Sequence, residues 1–496
     1  MLDASNNLRE GYHQMHTTLP GKRSHTPTSE KASKQEPFTR VTPVLKTALL
    51  MGAGGGFVLA TVLTLARAFS MPLGAWWEAT AQAHGHLQLY GWAGLFVLGI
   101  TFHFLPRLRG TPLTGARFIP LLLGVISASL ILRAVSQPGL AMNPGSMWRV
   151  GLVSSGILEV AAFVTILSLL ILTALHGPRP TTRPAYWSVF PFFAGAFCSL
   201  GIASIINLVN VAQAAQGRGL VLYLGDTLNV TLGLFGFLVP MALAMSARSL
   251  PMYAGLDGVP RRVLWPLAGV YFTGLLLLCI GVEGGPRSPP WTGIVDGLGM
   301  VLLGGVVLLF VGIFLSLMRR RGHVPERVAK LAPSPETLVQ TYQRHVKKEQ
   351  THYGPFVGLV ASAYLWAMIG ALLLLIDGGS LLATGCGLVD FDAVRHSFAI
   401  GFIALLICGI APRMLPGFSG RKIVSPSLVS ATLWLGNAAA VLRVGSLLFA
   451  PFFAGTQGVA IDTFLFSLSG PLGLALAICL AINLWPTLHA SPRHVV

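Results

Sequence analysis

Charge is what this sequence has least of. Asp, Glu, Lys and Arg make up 10% of the chain, against about 25% in a soluble domain. So few charges cannot clothe a water-facing surface, which excludes an ordinary soluble fold. Carboxylates are scarcer still, with 17 Asp and Glu against 34 Lys and Arg, a formal net charge of +17. The excess invites a nucleic-acid reading, but the basic residues fall in short loops between apolar runs. That is how orientation is set in a membrane, so no nucleic-acid partner is expected. Cysteine is also rare. The five residues are scattered, and Cys-x-x-Cys-His is absent, which excludes covalently attached c-type haem. Residues 1–43 lack the apolar core of a cleavable signal peptide. Rich in Ser, Thr, Lys and Pro, they read as a disordered, basic cytoplasmic head.

Apolar residues are what is abundant, at 53% of the chain. They gather in runs of about 18 residues or more, enough to cross a bilayer core. The predicted fold is an all-α polytopic membrane protein with twelve transmembrane helices. The expected spans are 44–67, 84–106, 117–136, 149–174, 187–213, 223–248, 263–283, 292–318, 355–376, 391–415, 426–449 and 460–485. Loops after the even-numbered spans carry the Arg and Lys, while the alternate loops hold Glu78, Asp377, Asp390, Asp392 and Asp462. Basic loops stay cytoplasmic. The reading is a bacterial inner (cytoplasmic) membrane protein with both termini cytoplasmic.

A motif then recurs. His86, Gly91, Gly99, Leu105-Pro106 and Gly110 are matched by His396, Gly401, Gly409, Leu415-Pro416 and Gly420, at the constant offset 396 − 86 = 310. At 231 − 86 = 145 the sixth span repeats Gly236, Leu250-Pro251 and Gly255, with Thr231 in place of the histidine. Leu132-Arg133 and Ser136 also match Leu442-Arg443 and Ser446. The predicted organisation is therefore three pseudo-repeated four-helix units at 44–186, 187–318 and 355–490. A basic cytoplasmic linker joins the last two over 319–354.

Ionisable groups inside a bilayer are costly and are retained mostly for function. His86 and His396 occupy the same repeat position near the outer face. Neutral imidazole ligates haem iron through one ring nitrogen, so the expectation is a haem held between His86 and His396. His84 points about 200° away from His86 at 100° per residue. It caps the helix at the interface or ligates a second metal. His103 lies 17 residues beyond His86, about 26 Å along the helix, where it reads as interfacial or serves a second haem. Arg133, Arg443 and Arg395 are placed to bind haem propionates in bidentate fashion, or to snorkel to the interface. Arg395 has the alternative of pairing with Asp392. Glu159, with Asn207 and Asn210, marks a buried polar cluster or a proton path.

The helix His84-x-His86-x4-Gly91-x7-Gly99 ending in Pro106-x3-Gly110, together with His396-x4-Gly401, Gly420-Arg421 and Arg133, resembles the NnrS family of twelve-helix bacterial membrane proteins. That resemblance implies haem b, with copper as a second cofactor, and a role in nitric oxide response or denitrification. The threefold arrangement also looks like the catalytic subunit of haem–copper oxidases, whose low-spin haem is held between helices 2 and 10. The copper centre of those enzymes takes histidines from helices 6 and 7. Here Thr231 stands on the sixth span and the seventh has no histidine, so a binuclear oxygen-reducing centre is not expected. Three functions follow. One is a haem protein carrying electrons from quinol or cytochrome c. The second is a haem–copper redox enzyme with copper at His84. The third is a non-haem transporter, because transporters are also built from repeats.

Overall fold

Twelve helices long and apolar enough to cross a membrane account for almost the whole of the computed structural model. It describes residues 38–179, 184–253, 259–282, 291–319, 348–452 and 455–489, with Ser334 and Thr337. In chain order they are α1 (Phe38–Ala68), α2 (Ala75–Arg109), α3 (Ala116–Met142), α4 (Ser146–His176), α5 (Tyr186–Gln216) and α6 (Tyr223–Pro251). Then follow α7 (Arg261–Gly281), α8 (Trp291–Ser316), α9 (Phe356–Thr384), α10 (Phe391–Ser419), α11 (Pro426–Phe452) and α12 (Gly455–Leu484). Every predicted span corresponds to one of these helices. The head up to residue 37, most of the 319–354 linker and Gly255 lie outside the described residues.

Two boundaries differ from expectation. Phe38 and Val41 are buried and a helix begins at Thr42, so the disordered-head reading fails over 38–43. The apolar surface of that short segment is covered by Phe418 and His103. In α2 the helix begins at Ala75, nine residues before the expected 84. Glu78 and Gln82 dilute the hydropathy there, so an apolar-run reading stops short. Tertiary contacts hold the extra turns: Trp77 donates to the Leu63 carbonyl and Gln82 donates to that of Val221.

Three helices form the middle. In α2, α6 and α10 the apolar window is 89%, 83% and 78% buried, whereas in the other nine it is 28–44%. A helix buried all round belongs to the interior of a bundle; one with half its surface apolar and exposed faces lipid. The outer helices pack on their chain neighbours, and α12 packs back on α1. Each central helix carries a wide π-type stretch, Leu87–Gly94, Leu232–Leu238 and Ser397–Ala404. They begin 145 and 310 residues apart, directly after His86, Thr231 and His396. Such insertions turn the residues beyond them and recur at functional sites.

The repeated glycines have distinct physical uses. Gly110 and Gly420 end α2 and α10 in the left-handed conformation, at φ 66° and 70°. Gly401 lets α10 approach α9, since a Cβ there would lie 2.5 Å from the Trp366 ring. Gly420→Ala is expected to cost about 1–2 kcal/mol through the left-handed backbone. Gly401→Ala is expected to cost about 1–3 kcal/mol through overpacking. Thermal unfolding of each purified variant measures both; an unchanged Tm would contradict the assignment.

Candidate functional site

A cavity lies between α1, α2, α6, α10, α11 and α12, with a volume of about 370 Å³. Its walls are mostly apolar, including Phe57, Trp92, Leu234, Leu238, Ile400 and Ile403. A few polar groups converge on it: His84, His396, Arg395, Arg443, Asp392, Asp226, Gln82 and Gln88. A largely apolar cavity with a few placed polar groups is what a cofactor site looks like.

The two histidines that line it are His84 and His396. His84 Nδ1 bonds the Gly56 carbonyl at 2.8 Å. His396 Nδ1 bonds the Asp392 carbonyl at 2.8 Å, with the Asp392 carboxylate 3.4 Å away. A carbonyl oxygen only accepts, so each ring must carry its proton on Nδ1. That leaves Nε2 of both rings as a lone-pair donor, and neither makes a hydrogen bond among the described residues. A ring nitrogen fixed by a carbonyl on its far side is how ligating histidine is ordinarily oriented.

His86 is elsewhere, which corrects the expectation that it faces His396. Its Nε2 is 2.7 Å from Glu159 Oε2 of α4, and both side chains are buried. The reason is the helical twist: residues two apart point to nearly opposite sides. With His86 turned towards α4, His84 is turned towards α1 and α10. The matched repeat position misled for a related reason. Side chains related by a rotation meet only where they point at its axis, and His86 and His396 do not share a cavity.

The arginines divide in the same way. Arg443 lines the cavity, pairs with Asp392 at 2.8 Å and lies over the Phe466 ring. Arg395 also lines it, and its buried Nε has no hydrogen-bond partner. It does not pair with Asp392, whose carboxylate is taken by Arg443 and His396. Arg133 belongs to another place. Its guanidinium bonds Asn207 and Gln137, so it is not available to a group in the cavity. Gln137 in turn donates to Gln82 at 2.8 Å, and Gln82 lines the cavity. Of the polar residues expected to gather at Glu159, Asn207 bonds Arg133 and Asn210 bonds Gly225, while Glu159 itself bonds His86.

His103 is buried against Phe38 and Phe418, and its Nδ1 is 2.9 Å from Arg107. It does not line the main cavity. Among the described residues no three His, Cys, Asp or Glu side chains converge, so the copper site implied for His84 finds no ligand cluster. Sequence reasoning missed Asp226 and Gln82 as cavity residues. Gln82 offered no signal, because it lay before the expected start of α2.

No known family profile matches the chain, and no curated protein sequence does. A solved structure does resemble it: a haem–copper terminal oxidase dimer seen by cryo-electron microscopy. The TM-score is 0.65 at 12% identity, over 91% of this chain and 84% of that one. The chain shares the fold of that oxidase. At this identity the likeness speaks for the fold alone.

Proposed function

We propose that this is a haem b-binding membrane protein of the NnrS type, with His84 and His396 as the axial ligands. It acts in electron transfer linked to respiration or to nitric oxide response. The observation that carries the reading is the pair of imidazoles lining one apolar cavity, each with Nδ1 tied to a carbonyl and Nε2 left free. Arg395 supports it, a partly buried side chain with an unpartnered Nε beside the same cavity, suited to a propionate. Arg443 stands at that edge too, already neutralised in part by Asp392. The fold shared with a haem–copper terminal oxidase is in keeping with haem between α2 and α10.

A haem held by His84 and His396 would supply one-electron transfer. The residues of the chain then have separate tasks. Gly56 and Asp392 carbonyls hold the ligand rings in one tautomer. Phe57, Trp92 and Ile400 exclude water, which tunes a redox potential. The three central helices are read as repeats, with the second having lost its histidine at Thr231. The basic loops support a reading with both termini on the cytoplasmic side of a bacterial inner membrane. Quinol or cytochrome c is the expected class of electron donor. Copper is assigned to no side chain.

The test is a pyridine haemochrome spectrum with metal analysis on protein purified in detergent. One b-type haem and about one iron per chain are expected for a single bis-histidine site. Protein without a Soret band after haem-replete expression would end the reading and leave the transporter.

A further inference from the structure

We propose that a second cavity, on the axis between α2, α6 and α10, is a dry binding site for one small apolar solute, of the size of a diatomic gas or a noble-gas atom. The cavity measures about 90 Å³. Its lining follows the repeat offsets: Phe96, Met241 and Leu406 form one layer, and Ile100, Met245 and Ile410 the next. Both steps are 145 and 310 residues. Three central helices thus meet at equivalent levels, and the side chains there do not close the axis.

Size and chemistry together select the guest. A water needs about 10–15 Å³ and two to four polar partners, and truly apolar cavities of this kind stay dry and take up xenon. This one has room for several waters but few partners. The Thr101 hydroxyl is spent on the Val97 carbonyl at 2.8 Å. The buried hydroxyls of Ser246, whose Oγ makes no hydrogen bond among the described residues, and Ser249 are the polar groups left, and the remaining lining is hydrocarbon and thioether. Leu238 and Ile403 line both this cavity and the larger one. A solute on the axis is therefore one layer of side chains from the larger cavity. The inference does not depend on what that larger site holds.

The experiment is a structure of the full chain under xenon pressure, beside an unpressurised one. Xenon density between Phe96, Met241 and Leu406, lost in Ala242→Leu, is the expected result. Ile410→Val, which enlarges the cavity, is expected to keep or raise the occupancy. Absence of xenon from the axis in the unsubstituted protein overturns the proposal. So do ordered waters bonded to Ser246 and Ser249 in the unpressurised structure. Unchanged haem content in Ala242→Leu would show that the variant folds and that the two sites are separate.

Discussion

His84→Ala and His396→Ala are each expected to leave the purified protein without haem, while His86→Ala keeps it. The prediction follows from which rings share a cavity. His84 and His396 present free Nε2 atoms to it, and His86 presents its Nε2 to Glu159. Losing only the hydrogen-bonded support of a ligating histidine costs about 10–100-fold in affinity. Losing the ligand itself costs more, enough to empty the site through a purification. His86→Ala removes a polar contact in a different part of the bundle. The readout is haem per chain from the pyridine haemochrome, with helix content by circular dichroism as the control for folding. Haem lost from the His86 variant and kept in the His84 variant would reverse the assignment. Haem kept in all three would remove it.

Glu159→Ala is expected to destabilise the fold by about 3–5 kcal/mol, the usual result of removing one partner from a buried charged group. Glu159 has no exposed surface and neither has His86 to speak of, at 0% and 3%. Deleting the carboxylate strands the His86 ring in an interior where water cannot replace its partner. Glu159→Gln keeps an acceptor for His86 and is expected to cost less than half as much. A double substitution with His86→Ala isolates their coupling, because the partners touch. Thermal unfolding in detergent reads all three. Glu159 does not line the haem cavity, so its variants should retain haem per folded chain. Wild-type stability in Glu159→Ala would show that the cluster carries no structural load.

The fold was legible because its signals are coarse. Twelve apolar runs and their alternating basic loops need only composition and length, and the bilayer enforces both. The matched ends of α2 and α10 were legible for a similar reason, since glycine marks a helix end. Gly110 and Gly420 take the left-handed conformation that the motif required. What failed was finer. The start of α2 was missed because Glu78 and Gln82 dilute the hydropathy there, and the Trp77–Leu63 and Gln82–Val221 bonds that hold it have no sequence pattern.

Sequence alone therefore determined a polytopic membrane protein with twelve apolar helices, and it singled out the histidines of α2 and α10 as candidates. Tertiary structure decided which histidine faces which space. Helical phase separates His84 from His86 by more than half a turn. Only the packing of α4 against one side of the central helices, and of α1 and α12 against the other, says where each imidazole points.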